Sequence, residues 1–256
     1  MLLTRRKFIV LAGAAAASDF VVSSPRAIAA ARPKIKAIAF DGLTIFDPRP
    51  VYALAEGLFP EKGAELSNAW RTRQFEYSWL RTLTGHYVDF WHVTEDALAY
   101  AAKLVKAELT VEKRNRLMQA FLNISAWPDA LPTLQSLKSS GMKLALLSNF
   151  TPAMLDAAVR NSGLGGIFEP YLSTDKVRAY KPDPRAYRMG IDAFGMKREE
   201  IAFAAYGGWD AAGAKAFGYP TFWVNRMNLP LEELGFAPDA TGPTLRELAS
   251  FVSRVG

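Results

Sequence analysis

The chemistry open to this chain runs on aspartate, lysine, arginine, serine and asparagine. Its 256 residues hold no cysteine and two histidines, His86 and His92. That removes disulfides, thiolate metal sites and a cysteine nucleophile, and leaves little for histidine ligands or a Ser-His-Asp triad. Polar residues stand instead at the ends of short apolar runs. Asp41 closes the run 35–40, and Ser148-Asn149 closes 143–147. Lys181 lies in Tyr180-Lys-Pro-Asp-Pro184, and Asp210 ends Gly207-Gly-Trp-Asp210 after the run 201–205. An aspartate can serve as a covalent nucleophile while it is ionised, and a closed apolar site works against ionisation. A cation about 4 Å away offsets this by about 4 kcal/mol at an effective dielectric near 20. Each residue also has a plainer reading. Asp41 could be a turn residue, Lys181 a solvated loop lysine and Asp210 a helix N-cap. Ser148-Asn149 could cap the helix that starts at Thr151-Pro152.

The joint order of these residues argues for more than turns and caps. Strands are predicted over 35–40, 143–148, 171–173, 201–205 and 221–224. Helices are predicted over 131–139, 152–161, 184–194 and 211–217. Strands alternating with helices of this length make βαβ units, and so an α/β fold with a Rossmann-like parallel sheet. Such a sheet gathers the carboxyl ends of its strands into one crevice, where ligands bind. Residues 48–125 contain no comparable strand. Helical patterns at 51–58, 64–83, 94–104 and 111–122 predict a helical cap inserted after the first strand, over a core made of 30–47 and 126–256. In that cap Tyr77, Trp79, Phe90 and Trp91 read as packing residues more than as substrate wall.

The composition, 50% hydrophobic and 22% charged, suits a globular protein with a large core. It excludes a disordered tail, a collagen-like repeat and a polytopic membrane protein. Residues 1–29 differ from the rest and read as a signal peptide. Thr4-Arg-Arg-Lys-Phe-Ile9 resembles a twin-arginine signal, about ten apolar residues follow, too few to span a bilayer of roughly 30 Å, and Ala27-Ile-Ala29 offers a small-x-small cleavage site. The expectation is export to the periplasm, with no stable membrane anchor after cleavage. The formal charge of +6 falls to +3 without the leader, with 27 basic against 24 acidic residues left. Half of the basicity is then an export address and not a surface for nucleic acid. Gly163-Leu-Gly-Gly166 follows a helix, not a strand, which argues against a nucleotide loop, and no Gly-x-Ser-x-Gly turn marks a serine hydrolase.

Five segments carry a resemblance. Trp70-Arg-Thr-Arg-Gln-Phe-Glu-Tyr-Ser-Trp-Leu-Arg81, Leu147-Ser-Asn149, Tyr180-Lys-Pro-Asp-Pro-Arg185, Trp209-Asp-Ala-Ala-Gly-Ala-Lys215 and Pro220-Thr-Phe-Trp-Val-Asn-Arg226 resemble the haloacid dehalogenase superfamily, specifically its type II (S)-2-haloacid dehalogenases. The resemblance spans cap and core. It implies hydrolytic removal of halide from a small 2-haloacid through an aspartyl ester on Asp41, with no metal and no cofactor. Lys181 would hold Asp41 ionised, Asp210 would position Lys181 and help activate water, and Arg71 would meet the leaving halide and substrate. Asn149 would join the halide cradle. Ser148, with the backbone after Asp41 at Leu43 and Thr44, would hold the substrate carboxylate. Tyr187 matches a family tyrosine near the lysine, with packing on the sheet as its plainer role, and Trp209 is the better candidate for a pocket wall. The resemblance also implies a homodimer.

Two rivals stay open. A phosphatase of the same superfamily needs an acid two residues after the nucleophile, where Leu43 stands, and a magnesium-binding carboxylate where Tyr206 stands; a carbon–halogen bond needs neither, because halide leaves without a proton. A non-catalytic binding protein is the other rival, and departures from the dehalogenase pattern give it substance. The nucleophile loop, Asp41-Gly-Leu-Thr-Ile-Phe-Asp47, is one residue shorter than the family's Asp-x-Tyr-Gly-Thr-Leu-Phe-Asp and lacks its tyrosine. Ala205, Tyr206 and Gly207 stand where the family has Ser-Ser-Asn.

Overall fold

The computed structural model describes residues 34–255; the leader, with its twin-arginine motif and cleavage site, lies outside them. Six strands form one sheet: β1 (Ala37–Phe40), β2 (Lys143–Ser148), β3 (Tyr171–Ser173), β4 (Ile201–Ala205), β5 (Thr221–Val224) and β6 (Ala240–Gly242). All pairings are parallel, in the order β3-β2-β1-β4-β5-β6. The chain winds outward in both directions from β1 and β4, so the crevice at the switch point opens between their carboxyl ends. Phe40 pairs with Leu146 on one side and Ala204 on the other, which brings Asp41, Ser148 and the residues after Ala205 to neighbouring levels of the same edge.

Both faces of the sheet are covered, as parallel strands require. Along β1, Ile38 and Phe40 join one core while Ala37 and Ala39 join the other, the period of two expected of a strand. The first core takes in α6 (Ala130–Ser139), α7 (Pro152–Asn161) and α10 (Leu245–Val255); the second takes in α8 (Pro184–Phe194) and α9 (Gly208–Phe217). The predicted strands are all present. β6 and α10 were not foreseen, β6 because Ala-Thr-Gly carries no alternation of its own.

Between β1 and β2 lie α1 (Gly42–Ile45) and four longer helices, α2 (Arg49–Leu58), α3 (Gly63–Thr84), α4 (Phe90–Leu104) and α5 (Val111–Leu122). These four enclose Trp70, whose indole N–H donates to the Thr94 carbonyl at 2.8 Å and whose ring meets Phe121 edge-on at 5.4 Å. The two ends of the insert close on each other, where Asp47 N donates to the Ser125 carbonyl at 2.8 Å and Phe46 bridges to Ala126.

Candidate active site

The three charged residues singled out by position meet at one point. Asp41 leaves β1 in an extended conformation and caps α1, accepting the Leu43 N–H on Oδ2 at 3.0 Å. Lys181 is wholly buried, and its Nζ donates to Asp41 Oδ1 at 2.6 Å and to Asp210 Oδ2 at 2.7 Å. Asp210 lies inside the first turn of α9, whose N-cap is Gly207; its carboxylate is buried beneath the cavity instead of capping the helix. The solvated-lysine and N-cap readings are both excluded.

The loop that carries Lys181 is fixed from two sides. Asn149 Oδ1 accepts the Lys181 backbone N–H at 3.1 Å and the Thr174 hydroxyl at 3.3 Å. Tyr180 donates its N–H to Thr82 Oγ1 and its hydroxyl to the Val88 carbonyl, which ties the loop to α3 and the start of α4. Ser148 and Asn149 do not cap α7, since Thr151 does so itself, accepting from Met154 N at 3.2 Å.

Electrostatics follow from this burial. Loss of solvation alone would lower the Lys181 ammonium, but the two carboxylates outweigh it and hold the group above the ordinary lysine range. Burial pushes Asp210 up to about 6; Lys181 and the Tyr187 hydroxyl pull it back, and Asp41 adds to the rise. The Tyr187 hydroxyl donates to Asp210 Oδ1 at 2.7 Å, and burial, with Asp210 beside it, holds that phenol well above its usual range.

Above these groups opens a cavity of about 220 Å³. Asp41, Arg71, Ser148, Asn149, Trp209 and Asp210 line it, as does the Leu43 side chain. The remaining expectations need correction. Thr44 does not reach the cavity: it is buried, and its hydroxyl donates to the Asp41 carbonyl at 2.5 Å, beneath the nucleophile. Tyr187 does not line the cavity and so cannot touch a substrate there; it packs on the sheet, its plainer role, and reaches the lysine's partner Asp210. The Leu43 amide is spent on the Asp41 carboxylate rather than offered to a ligand. Phe90 packs in the core against Phe150 and Tyr180, as read, and also lines the cavity with Phe75 and Phe150.

Sequence reasoning passed over Phe75, although it lies four residues after Arg71 and so on the same helix face; its ring meets Trp209 at 5.2 Å. Met227, Leu229 and Glu232 also line the mouth, from a segment without regular structure that sends no periodic signal. Tyr206 lines the cavity as well. Its phenol is raised chiefly by burial, with Arg71 opposing the rise, and so presents a neutral hydroxyl beside a guanidinium.

Two glycines permit this closeness. A Cβ on Gly42 would stand 2.7 Å from Ser148 Oγ, and one on Gly213 would stand 2.6 Å from the Tyr187 hydroxyl. Among the described residues no group of three His, Cys, Asp or Glu could hold a metal ion. A buried aspartate–lysine–aspartate array under an apolar cavity is equipped for covalent catalysis by a carboxylate, followed by hydrolysis of the ester.

Comparison with known proteins agrees. The chain matches the haloacid dehalogenase-like hydrolase family over residues 7–218. It is 40% identical over 221 residues to haloacetate dehalogenase H-2 of Moraxella sp. (strain B), covering 86% of this chain and 99% of that protein. It is 41% identical over 213 residues to an (S)-2-haloacid dehalogenase of Pseudomonas sp. (strain YL), covering 83% and 92%. A solved L-2-haloacid dehalogenase from Xanthobacter autotrophicus, with chloropropionic acid covalently bound, superposes with a TM-score of 0.78 at 34% identity, covering 86% and 98%. The chain belongs to the haloacid dehalogenase-like hydrolase family.

Proposed function

We propose that this protein hydrolyses (S)-2-haloacids to 2-hydroxyacids through an ester on Asp41. The observation that carries the reading is the Lys181 ammonium, shared between Asp41 at 2.6 Å and Asp210 at 2.7 Å with no solvent exposure. An Asp41 oxygen attacks C2 from the side opposite the halogen, the carbon–halogen bond breaks, and halide leaves with the bonding pair while C2 inverts. Arg71 faces the same cavity and meets the departing anion. Water then adds to the aspartyl carbonyl carbon as Asp210 takes one of its protons; the ester C–O bond breaks, the departing alkoxide of the hydroxyacid takes that proton from Asp210, and Asp41 returns to its carboxylate with release of the other. A carboxylate raised to about 6 is a better proton acceptor than an ordinary aspartate and still ionised at neutral pH.

Halide release from (S)-2-chloropropionate tests this, and it should be insensitive to EDTA and absent in Asp41→Asn. A single turnover in heavy-oxygen water should leave the label in the Asp41 carboxylate, read by mass spectrometry of its peptide. Label appearing only in the hydroxyacid would refute the ester, and magnesium-dependent phosphate release from small esters would point to a phosphatase.

The reading extends to place and assembly. Export in folded form by the twin-arginine route to the periplasm is supported by Arg5-Arg6-Lys7, the apolar stretch behind it and Ala27-Ile-Ala29. A homodimer is supported by the exposed Leu80, Leu83, Tyr100 and Leu104 on α3 and α4. Periplasmic extracts and sedimentation of the mature protein test the two.

A further inference from the structure

We infer that the site is built for 2-haloalkanoates of five to six carbons rather than for the two- and three-carbon acids. The inference rests on the dehalogenase reading and concerns the size and lining of the same cavity. A cavity of about 150 Å³ lined by aliphatic and aromatic groups holds benzene, with its six carbons. On that scale the 220 Å³ above Asp41 admits about nine non-hydrogen atoms. 2-Chloropropionate has six, and 2-chlorohexanoate has nine.

The lining says where the extra carbons go. Of the charged and polar groups that line the cavity, Asp41, Arg71, Ser148 and Asn149 serve C2, the halide and the carboxylate, Asp210 serves the water step, and Thr72, Tyr206 and Glu232 make up the rest. Phe75, Trp209 and Leu229 line the same cavity and offer a chain nothing but apolar surface. Phe75 and Trp209 are in ring contact at 5.2 Å, with Trp79 behind at 5.4 Å, so this part of the wall is a continuous aromatic surface. Beyond Trp209 the apolar surface continues. Trp209 also borders a second, outer groove with Phe217, Leu234 and Phe236. Leu229 is 49% exposed, Leu234 57% and Phe236 51%. An alkyl substituent on C2 therefore runs along Phe75 and Trp209 towards Leu229, fills the cavity at six carbons and emerges onto a half-open surface when longer.

Burying each further methylene strengthens binding about fourfold. Contacts so far from C2 are the same in ground and transition states, so they appear in KM and leave kcat unchanged. The test is halide release by the mature protein from the (S)-2-chloro acids of three, four, five, six and eight carbons. KM should fall about fourfold per carbon up to 2-chlorohexanoate, about sixty-fold in all, and then level off. In Leu229→Asp, a substitution at a half-exposed position, the ratio of kcat/KM for 2-chlorohexanoate to that for 2-chloropropionate should drop by about tenfold. A KM that stays level or rises from three carbons to six, while 2-chloropropionate is turned over, overturns the inference and leaves the dehalogenase reading standing. Halide release from none of the acids overturns both.

Discussion

Replacing Lys181 by methionine isolates what the buried ammonium contributes. At N···O distances of 2.6 and 2.7 Å, each ion pair is worth about 6 kcal/mol of gross attraction at an effective dielectric near 20. The cost of taking each ion out of water is several kcal/mol, so the net benefit is far smaller than the gross sum. Methionine fills much of the lysine volume but leaves two carboxylates facing each other, one of them wholly buried. Breaking a buried pair from one side costs about 3–5 kcal/mol, and that is the stability loss expected near pH 8. The loss should shrink on acidification, because protonated carboxyls no longer need a cation. Urea denaturation of both proteins at pH 8 and pH 5 measures the difference, and halide release under single-turnover conditions measures the chemistry, which should fall below detection. Asp210→Asn added to Lys181→Met should restore part of the stability and none of the activity. A Lys181→Met protein as stable as the parent at pH 8, or one keeping a tenth of its activity, would refute the assignment of Lys181 as the cation that holds the nucleophile.

Further expectations concern the groups around that lysine. With Asp210 pushed up to about 6, kcat should decline below pH 6 and hold on the alkaline side until Lys181, itself raised, begins to titrate; Asp210→Asn should abolish activity outright. Stability has the opposite sign for this carboxyl: between about 4 and 6 the folded state binds a proton the unfolded state does not, so Asp210 by itself makes the fold more stable as pH falls through that window. Activity lost at pH 5 should therefore return on neutralisation, with circular dichroism unchanged throughout. Tyr187→Phe removes a buried donor 2.7 Å from Asp210 Oδ1, a bond to a charged acceptor worth about 1.5–3 kcal/mol; kcat should drop about tenfold and the acid limb move to higher pH. Gly42→Ala forces a methyl to 2.7 Å from Ser148 Oγ and should lower kcat by disturbing the nucleophile loop, with partial recovery in Gly42→Ala/Ser148→Ala; unchanged kcat in the single variant would show that the loop gives way freely.

The sheet was legible because parallel strands buried on both faces spell short apolar runs, and because each run ends in a polar residue the core cannot use. Asp41 was legible for the same reason; Lys181 and Asp210 lie several residues past β3 and β4, and it was their family resemblance that marked them as catalytic. What the sequence withheld was depth. Thr44 and Tyr187 carry hydroxyls within reach of the right elements, yet both lie beneath the catalytic carboxylates, a distinction made by three-dimensional packing and not by spacing. Phe90 packs in the core, as its sequence context suggested, and borders the cavity as well; helix α4 begins at Phe90, ahead of the predicted residue 94, with Asp89 as its cap, accepting from His92 N at 2.9 Å. The mouth residues Met227, Leu229 and Glu232 belong to an irregular segment whose path depends on contacts distant in sequence.

The two departures from the dehalogenase pattern meet different structural answers. The shortened nucleophile loop is held by its carbonyls: the Trp127 indole N–H donates to Leu43 O at 3.0 Å, Arg226 Nη2 to Thr44 O at 2.9 Å and Trp127 N to Ile45 O at 2.9 Å. The guanidinium groups of Arg226 and Arg49 each lie 4.4 Å from the Trp127 ring, and Asp129 pairs with Arg226 while accepting Leu245 N at the start of α10. Three successive carbonyls so fixed leave the loop little freedom to sag, and the amide of Leu43 stays aimed at Asp41. At the other departure, Ala205 and Gly207 bring no polar side chain. Lys181 there has the face of Phe203, 5.2 Å away, as its further neighbour, and both of its strong acceptors are carboxylates. Apolar surroundings strengthen those two ion pairs and raise Asp210 at the same time. The basicity that ester hydrolysis needs thus comes from burial rather than from a shell of small polar side chains, and a change that admits water around Asp210 should cost more here than the loss of any single hydrogen bond.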